Sequence, residues 1–153
     1  MSDSPARNIL FICSGNTCRS PMAEAIARAA LERTPEQAGR VNIFSAGLGA
    51  GSGAPMTGEA AESLRKLGIE PPHHRSVGLT REMVEQADLI FCMTGAHLVG
   101  VRSLSPQAET KAFTLNPDGR DIADPYGAPQ HVYDQTAEDL QRLINARLKE
   151  ILG

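Results

Sequence analysis

Short apolar runs alternate along this chain with stretches whose apolar residues recur at helical spacing. "NILFIC" (8–13) is apolar and rich in β-formers, the mark of a buried strand. "VNIFSA" (41–46), "DLIFCM" (88–93) and "TKAFTL" (110–115) read as three more. Met22, Ile26, Ala29 and Ala30 share one face of a helix between the first two. Ser20 and Pro21 predict its start, with a hydroxyl N-cap and then proline at the first helical position, where no amide is needed. Ala60, Ala61, Leu64 and Leu67 predict a second helix, stopped by Gly68 at C′. Two prolines oppose helix in "EPPHHRSVGL" (70–79), which reads as extended or irregular. Thr80 can cap a short helix through Ala87, another spans roughly 95–104, and the last runs over about 131–151, with Leu140, Leu143, Ile144, Leu148 and Ile151 on one side.

Strands that alternate with helices predict an α/β fold: a three-layer sandwich with a four-stranded parallel sheet and helices on both faces. At 153 residues, with no repeat, low-complexity tract or linker, one domain over 1–153 is expected. Ligands of such folds bind beyond the carboxyl ends of the strands. That rule puts segments 13–20, 45–55 and 116–130 on one rim. Strand order does not follow from the pattern.

Composition narrows the partners. A net charge of −3 offers no basic footprint for nucleic acid. "ILFIC" and "LIFCM" are too short to span a membrane, and "MSDSPAR" has no apolar signal-peptide core. A cytoplasmic protein is expected. Its three cysteines do not make a disulfide framework, so reactivity is the more informative reading.

That reading falls on "CSGNTCRS" (13–20), a polar turn between strand and helix. Amides of Ser14, Gly15, Asn16, Thr17, Cys18 and Arg19 can converge on an anion, favoured there by the helix dipole. Arg19 adds a planar, permanently charged fork suited to a tetrahedral oxyanion. Cys13, at the strand end, would point into that cup, where the surroundings favour the nucleophilic thiolate. The loop therefore reads as a phosphoryl-binding cradle with its own nucleophile. It is not a Walker-type loop, because G-x-x-x-x-G-K-[ST] is missing. A zinc site fails on ligand count: Cys13 and Cys18 lack a second close pair, and the nearest histidines are the adjacent His73 and His74. No metal and no cofactor are expected. An inert buried thiol fits Cys92, inside an apolar strand, but not Cys13 beside an arginine. Phosphoryl transfer also needs an acid for the leaving group and a base for water. The loop 116–130 supplies Asp118, Asp121 and Asp124, among which residue type alone does not choose.

"CSGNTCRSPMAEA" resembles the signature of the low-molecular-weight protein tyrosine phosphatase family, and the resemblance covers essentially the whole chain. "SAG" (45–47), "HRSVGLT" (74–80), "ADLIFCM" (87–93) and "DPY" (124–126) fall where that family has related segments. The resemblance implies a phosphocysteine intermediate on Cys13, a general acid at Asp124, and phosphorylated proteins as substrates. It also implies that Asn16 shapes the loop, that Ser20 donates to the thiolate, and that Ser45 and His74 hold Asn16. Tyr126 would wall the entrance.

Three features are similar to the protein arginine phosphatase branch: Thr17 where tyrosine-specific members carry a bulky apolar residue, a single aromatic in "DPYGA", and threonine in "FCMT". Thr17 and Tyr126 are therefore the expected selectivity residues. A tyrosine phosphatase of the same class is the alternative. An arsenate reductase would need further relay cysteines. A non-catalytic phosphate-binding module would not need Cys13 and Asp124 together, and a small-molecule phosphatase stays open. Cys13 and Cys18 in one short loop also suggest a reversible disulfide under peroxide.

Overall fold

The first strand divides the core in two. The computed structural model describes residues 7–152, and in it β1 (Arg7–Cys13) is flanked on both edges. Ile9, Phe11 and Cys13 face one cluster of buried side chains, while Leu10 and Ile12 face the other. The alternation follows from the two-residue period of a strand. The first cluster lies under α1 (Arg19–Glu32), α3 (Gly58–Lys66) and α6 (Gln130–Leu152), through Met22, Ile26, Leu64, Leu140 and Ile144. The second lies under α4 (Arg81–Gln86), α5 (Gly95–Leu104) and a 3-10 turn (Pro106–Thr110), through Val84, Val101 and Ala108. This is the expected three-layer α/β sandwich.

The sheet is wholly parallel, in the order β2-β1-β3-β4, with β2 Val41–Gly47, β3 Leu89–Cys92 and β4 Ala112–Thr114. From β1 the chain crosses to one side, and from β3 to the other. The strand order thus reverses between β1 and β3, and a crevice opens at their carboxyl ends. The loop after β1 sits there.

Most predicted termini hold. Thr80 accepts from Met83 N at 3.2 Å, and α5 spans the predicted residues. Gly68, at φ +80°, ends α3 with Ile69 N donating to Leu64 O at 2.9 Å and Gly68 N to Arg65 O at 2.9 Å. That is the reciprocal pair of a Schellman ending, and it needs the left-handed backbone glycine supplies.

Two expectations are corrected and one element is added. Ser20 is not the N-cap: α1 begins at Arg19, so Ser20 and Pro21 are its second and third residues. Proline is tolerated there because the first amides of a helix have no intrahelical acceptor, and the Ser20 hydroxyl serves the cradle instead. The fourth strand is shorter than 110–115, because the 3-10 turn takes residues up to Thr110, with Ser105 Oγ accepting from Gln107 N. A one-turn helix, α2 (Pro35–Ala38), was not foreseen; it buries no residue and so carries no apolar signal. The stretch read as lacking a signal-peptide core lies, Arg7 excepted, outside the described residues. No helix among the described residues is long and apolar enough to cross a membrane.

Candidate active site

β1 delivers Cys13 to the crevice, and the chain turns through five residues before entering α1 at Arg19. Cys13 is buried, its Sγ 3.3 Å from Asn16 N, which donates to it, and 2.9 Å from Ser20 Oγ. Asn16 holds the turn in shape. Its φ of 54° is left-handed, a region that asparagine enters more readily than other side-chain-bearing residues. The surroundings fix it there. Nδ2 donates to Ser20 Oγ at 2.8 Å and Ser45 Oγ at 3.0 Å; Oδ1 accepts from Val77 N at 2.9 Å; and the carbonyl accepts from His74 Nε2 at 2.7 Å. Because Ser20 Oγ accepts from Asn16, its own proton is left for Cys13 Sγ. Ser45 Oγ donates to Glu24 Oε1 at 2.6 Å, and Glu24 pairs with Arg28 at 2.8 Å.

Neighbouring segments grip the loop by its carbonyls. Leu48 N donates to Cys13 O at 3.0 Å, Gly49 N to Ser14 O at 2.9 Å, and Thr57 N to Thr17 O at 3.0 Å. Gly47 permits this approach: a Cβ there would lie 2.5 Å from Ser14 O and 2.9 Å from Asn16 N. With the carbonyls engaged, the amides of Gly15, Thr17, Cys18 and Arg19 keep no protein acceptor among the described residues. They line a cleft of about 380 Å³ together with Cys13, Ser14, Asp124 and Tyr126. Unpaired amides at a helix start, plus a cation, make an anion site.

The cation is Arg19, only 4% exposed. Its Nη1 donates to Ile122 O at 2.8 Å, its Nη2 stands 3.7 Å from Asp124 Oδ2, and its Nε is buried with no partner among the described residues. The three candidate carboxylates are separated by geometry. Asp118 is paired with Arg120 at 2.8 Å, which holds its carboxyl below the usual range. Asp121 accepts from Gly95 N at 2.9 Å. Asp124 lines the cleft, its Oδ1 accepting from Tyr126 N at 3.1 Å, and Tyr126 stands exposed at the rim.

Sequence reasoning missed His97, Glu24, Tyr133 and the role of Gly47. Tyr133 Oη lies 3.4 Å from Cys18 Sγ, and burial, with that thiol beside it, pushes the phenol up to about 12. His97, Tyr133 and Gly47 meet the loop only through the fold, Glu24 acts on it through Ser45, and no local motif marks any of them. Cys92 sits in the second core cluster, where burial pushes its thiol up to about 12. His73 is exposed and meets nothing in the site. No group of three or more histidine, cysteine or acidic side chains among the described residues is placed to hold a metal.

The model of the low molecular weight phosphotyrosine protein phosphatase family matches residues 8–152. The chain belongs to that family. It is 41% identical over 149 residues to the protein-arginine-phosphatase of Geobacillus stearothermophilus, covering 94% of this chain and 95% of that one. It is 37% identical over 146 residues to a Ralstonia nicotianae protein named "probable low molecular weight protein-tyrosine-phosphatase EpsP", covering 95% and 96%. Among solved structures, a cysteine-to-serine mutant of the YwlE arginine phosphatase with a phosphorylated active-site serine superposes with a TM-score of 0.87. Its identity is 36%, over 94% of this chain and 95% of that one. The relatives of this phosphatase family member are thus named for two different phosphoryl substrates.

Proposed function

We propose that this chain is a protein phosphatase that works through a phosphocysteine at Cys13, with phosphoarginine its preferred substrate. The observation that carries the proposal is the position of Cys13 Sγ at the base of the cradle, with donors from Asn16 N and Ser20 Oγ and unpaired amides around it. Those donors stabilise a thiolate and leave it facing a bound phosphorus atom. Sγ attacks in line, the P–S bond forms, and the bond from phosphorus to the leaving nitrogen breaks. Asp124, at the mouth, gives that nitrogen a proton, then takes one from the water that cleaves the P–S bond. Arg19 and the amides hold the equatorial oxygens throughout. The similar YwlE mutant, with its phosphorylated active-site serine, supports a covalent step on the residue at this place.

Substrate choice is argued from the rim. Thr17 lines the cleft and is half-buried, so its hydroxyl is a polar partner where a guanidinium would lie. Tyr126, 72% exposed, offers a flat face on which a guanidinium stacks. Asp124 is available to the remaining N–H groups. Phosphotyrosine is the second reading, because the Tyr126 face also suits a phenol and the EpsP protein is nearly as similar as the arginine phosphatase. In either reading the partners are phosphorylated proteins. Free Cys13, Cys18 and Cys92 fit a reducing cytoplasm, and the net charge of −3 disfavours nucleic acid and anionic membranes.

The test is kcat/KM for matched phosphoarginine and phosphotyrosine peptides. The wild type should favour phosphoarginine. Thr17→Ile should shift the ratio toward phosphotyrosine by about 10–200-fold, the range one pocket group decides. A wild type that prefers phosphotyrosine assigns the chain to tyrosine instead, and an unchanged ratio in Thr17→Ile removes Thr17 from the choice.

A further inference from the structure

His97 is buried, at 7% exposure, yet no step above uses it. It stands in the first turn of α5, where its amide donates to the Thr94 cap at 3.1 Å. Its Nε2 lies 2.8 Å from Ser14 Oγ, and its Nδ1 is buried with no hydrogen-bond partner among the described residues. Ser14, by contrast, is exposed and lines the cleft. A buried imidazole therefore grips a hydroxyl at the surface of the anion site.

The direction of this hydrogen bond follows from what each alternative orphans. If Ser14 donated to Nε2, the ring proton would sit on Nδ1 as a buried N–H with no acceptor. If Nε2–H donates to Ser14, the orphan is a bare lone pair on Nδ1. Orphaned buried N–H groups are the rarer kind in folded proteins, and a histidine tautomer is set by the bond its nitrogens make. Burial, reinforced by the nearby Arg19 cation and opposed by Asp121 and Asp124, holds the ring below its ordinary range, which keeps it neutral. The neutral ring with its proton on Nε2 leaves Ser14 Oγ as acceptor on that side and frees the hydroxyl proton for the cleft.

We infer that His97 is a positioning residue that aims the Ser14 hydroxyl at the bound phosphoryl group as a side-chain donor beyond the backbone cradle, a role that rests on the phosphoryl-binding reading of the cleft. Neither residue makes or breaks a bond. Ser14 has the direct contact, and His97 acts through it.

Inorganic phosphate, as a competitive inhibitor of aryl phosphate hydrolysis, is the probe. Its inhibition constant should rise about tenfold in Ser14→Ala, the loss expected for one hydrogen bond to a charged group. His97→Asn, whose amide nitrogen falls near the Nδ1 position, should lose as much. His97→Gln, whose amide nitrogen falls near Nε2, should recover most of the affinity. The double variant Ser14→Ala/His97→Asn should be no weaker than either single one, because both remove the same donor. Ser14→Ala alters an exposed side chain and keeps the fold, so it decides the matter even if a His97 variant does not fold. Phosphate binding unchanged in Ser14→Ala, additive losses in the double variant, or equal losses in His97→Gln and His97→Asn would overturn the inference. A wild type that neither hydrolyses the aryl phosphate nor is inhibited by phosphate would instead overturn the phosphatase reading beneath it.

Discussion

Arg19 Nη2 lies 3.7 Å from Asp124 Oδ2, so the cation walling the anion site already touches the carboxylate at its mouth. The pair is lopsided: the arginine side chain is 4% exposed and the aspartate 51%. Arg19 is also tied to Ile122 O, while Asp124 is exposed at the mouth of the cleft. In the mechanism proposed above, an entering phosphoryl dianion would compete for the same guanidinium, and the more exposed Asp124 would yield and stand beside the leaving group.

Replacing Asp124 by asparagine should separate these two effects. Turnover of a substrate with a basic leaving group should fall about 10²–10⁴-fold, the usual worth of a general acid. An aryl phosphate with a good leaving group should lose far less, and inorganic phosphate should bind at least as well without a competing carboxylate. Equal losses in kcat on both substrates would contradict the assignment of the acid.

Gly47→Ala tests the cradle from behind. The added methyl would meet Ser14 O at 2.5 Å and Asn16 N at 2.9 Å, both backbone atoms. Overpacking of this kind costs about 1–3 kcal/mol, and here it falls on the loop itself. Activity should drop on every substrate alike, with a lower melting temperature by circular dichroism. A variant as active and as stable as the wild type would show that the loop relaxes.

Acid stability depends in part on a contact remote from the cleft. Asp134, on α6, accepts from Lys66 Nζ at 2.7 Å, Ser63 Oγ at 2.7 Å and Gln130 Nε2 at 3.0 Å. The Lys66 bond first, then Gln130 and Ser63, holds its carboxyl down at about 2. A carboxyl depressed by folding stabilises the native state above its unfolded pKa, and that contribution is lost as pH falls through the folded value. Chemical denaturation should therefore show stability declining from the ordinary carboxylate range down towards pH 2. Asp134→Asn should flatten that part of the profile, and an unchanged acid limb would assign the decline to other carboxyls.

Much of the site was legible because it is contiguous. Cys13 and Arg19 lie within one strand-turn-helix, so residue types and order suggest the chemistry, whereas the parts of Asn16 and Ser20 followed only from the family resemblance. The same adjacency misled at Ser20: serine before proline is a good helix start by local rules, but the hydroxyl lies 2.9 Å from Cys13 Sγ, the place the family resemblance implies for it. Asp124 could not be told from Asp118 and Asp121 by type, since what distinguishes it is which neighbour each carboxylate has already found. His97 and Tyr133 reach the loop across 83 and 115 residues of chain, and nothing local records such a meeting. The sheet order depends on which crossovers pack, a choice the apolar runs leave open.

Oxidation should reveal how Cys18 serves its neighbour. Peroxide converts a reactive thiolate to sulfenic acid, which condenses with a nearby thiol to a disulfide and water. Cys13 and Cys18 occur as free thiols at the two ends of one turn. Peroxide-treated wild type should lose activity recoverable with dithiothreitol and show the 13–18 disulfide by mass spectrometry. Cys18→Ser should instead accumulate irreversible sulfinic acid at Cys13. Sulfinic acid in the wild type with no internal disulfide would rule the protection out.

The left-handed turn at Asn16 also has a bearing on handling the protein. Every side-chain and carbonyl partner of that residue comes from α1, β2 and the 74–77 segment, so the protein itself holds its shape. A mould cast in advance does not ask which tetrahedral ion fills it. Sulfate and arsenate carry the same shape and charge as phosphate, and they should enter without rearrangement and compete with substrate. The apparent activity of this protein will therefore track the salts in its buffer, and a preparation crystallised or assayed in sulfate should look slower than the same protein in chloride.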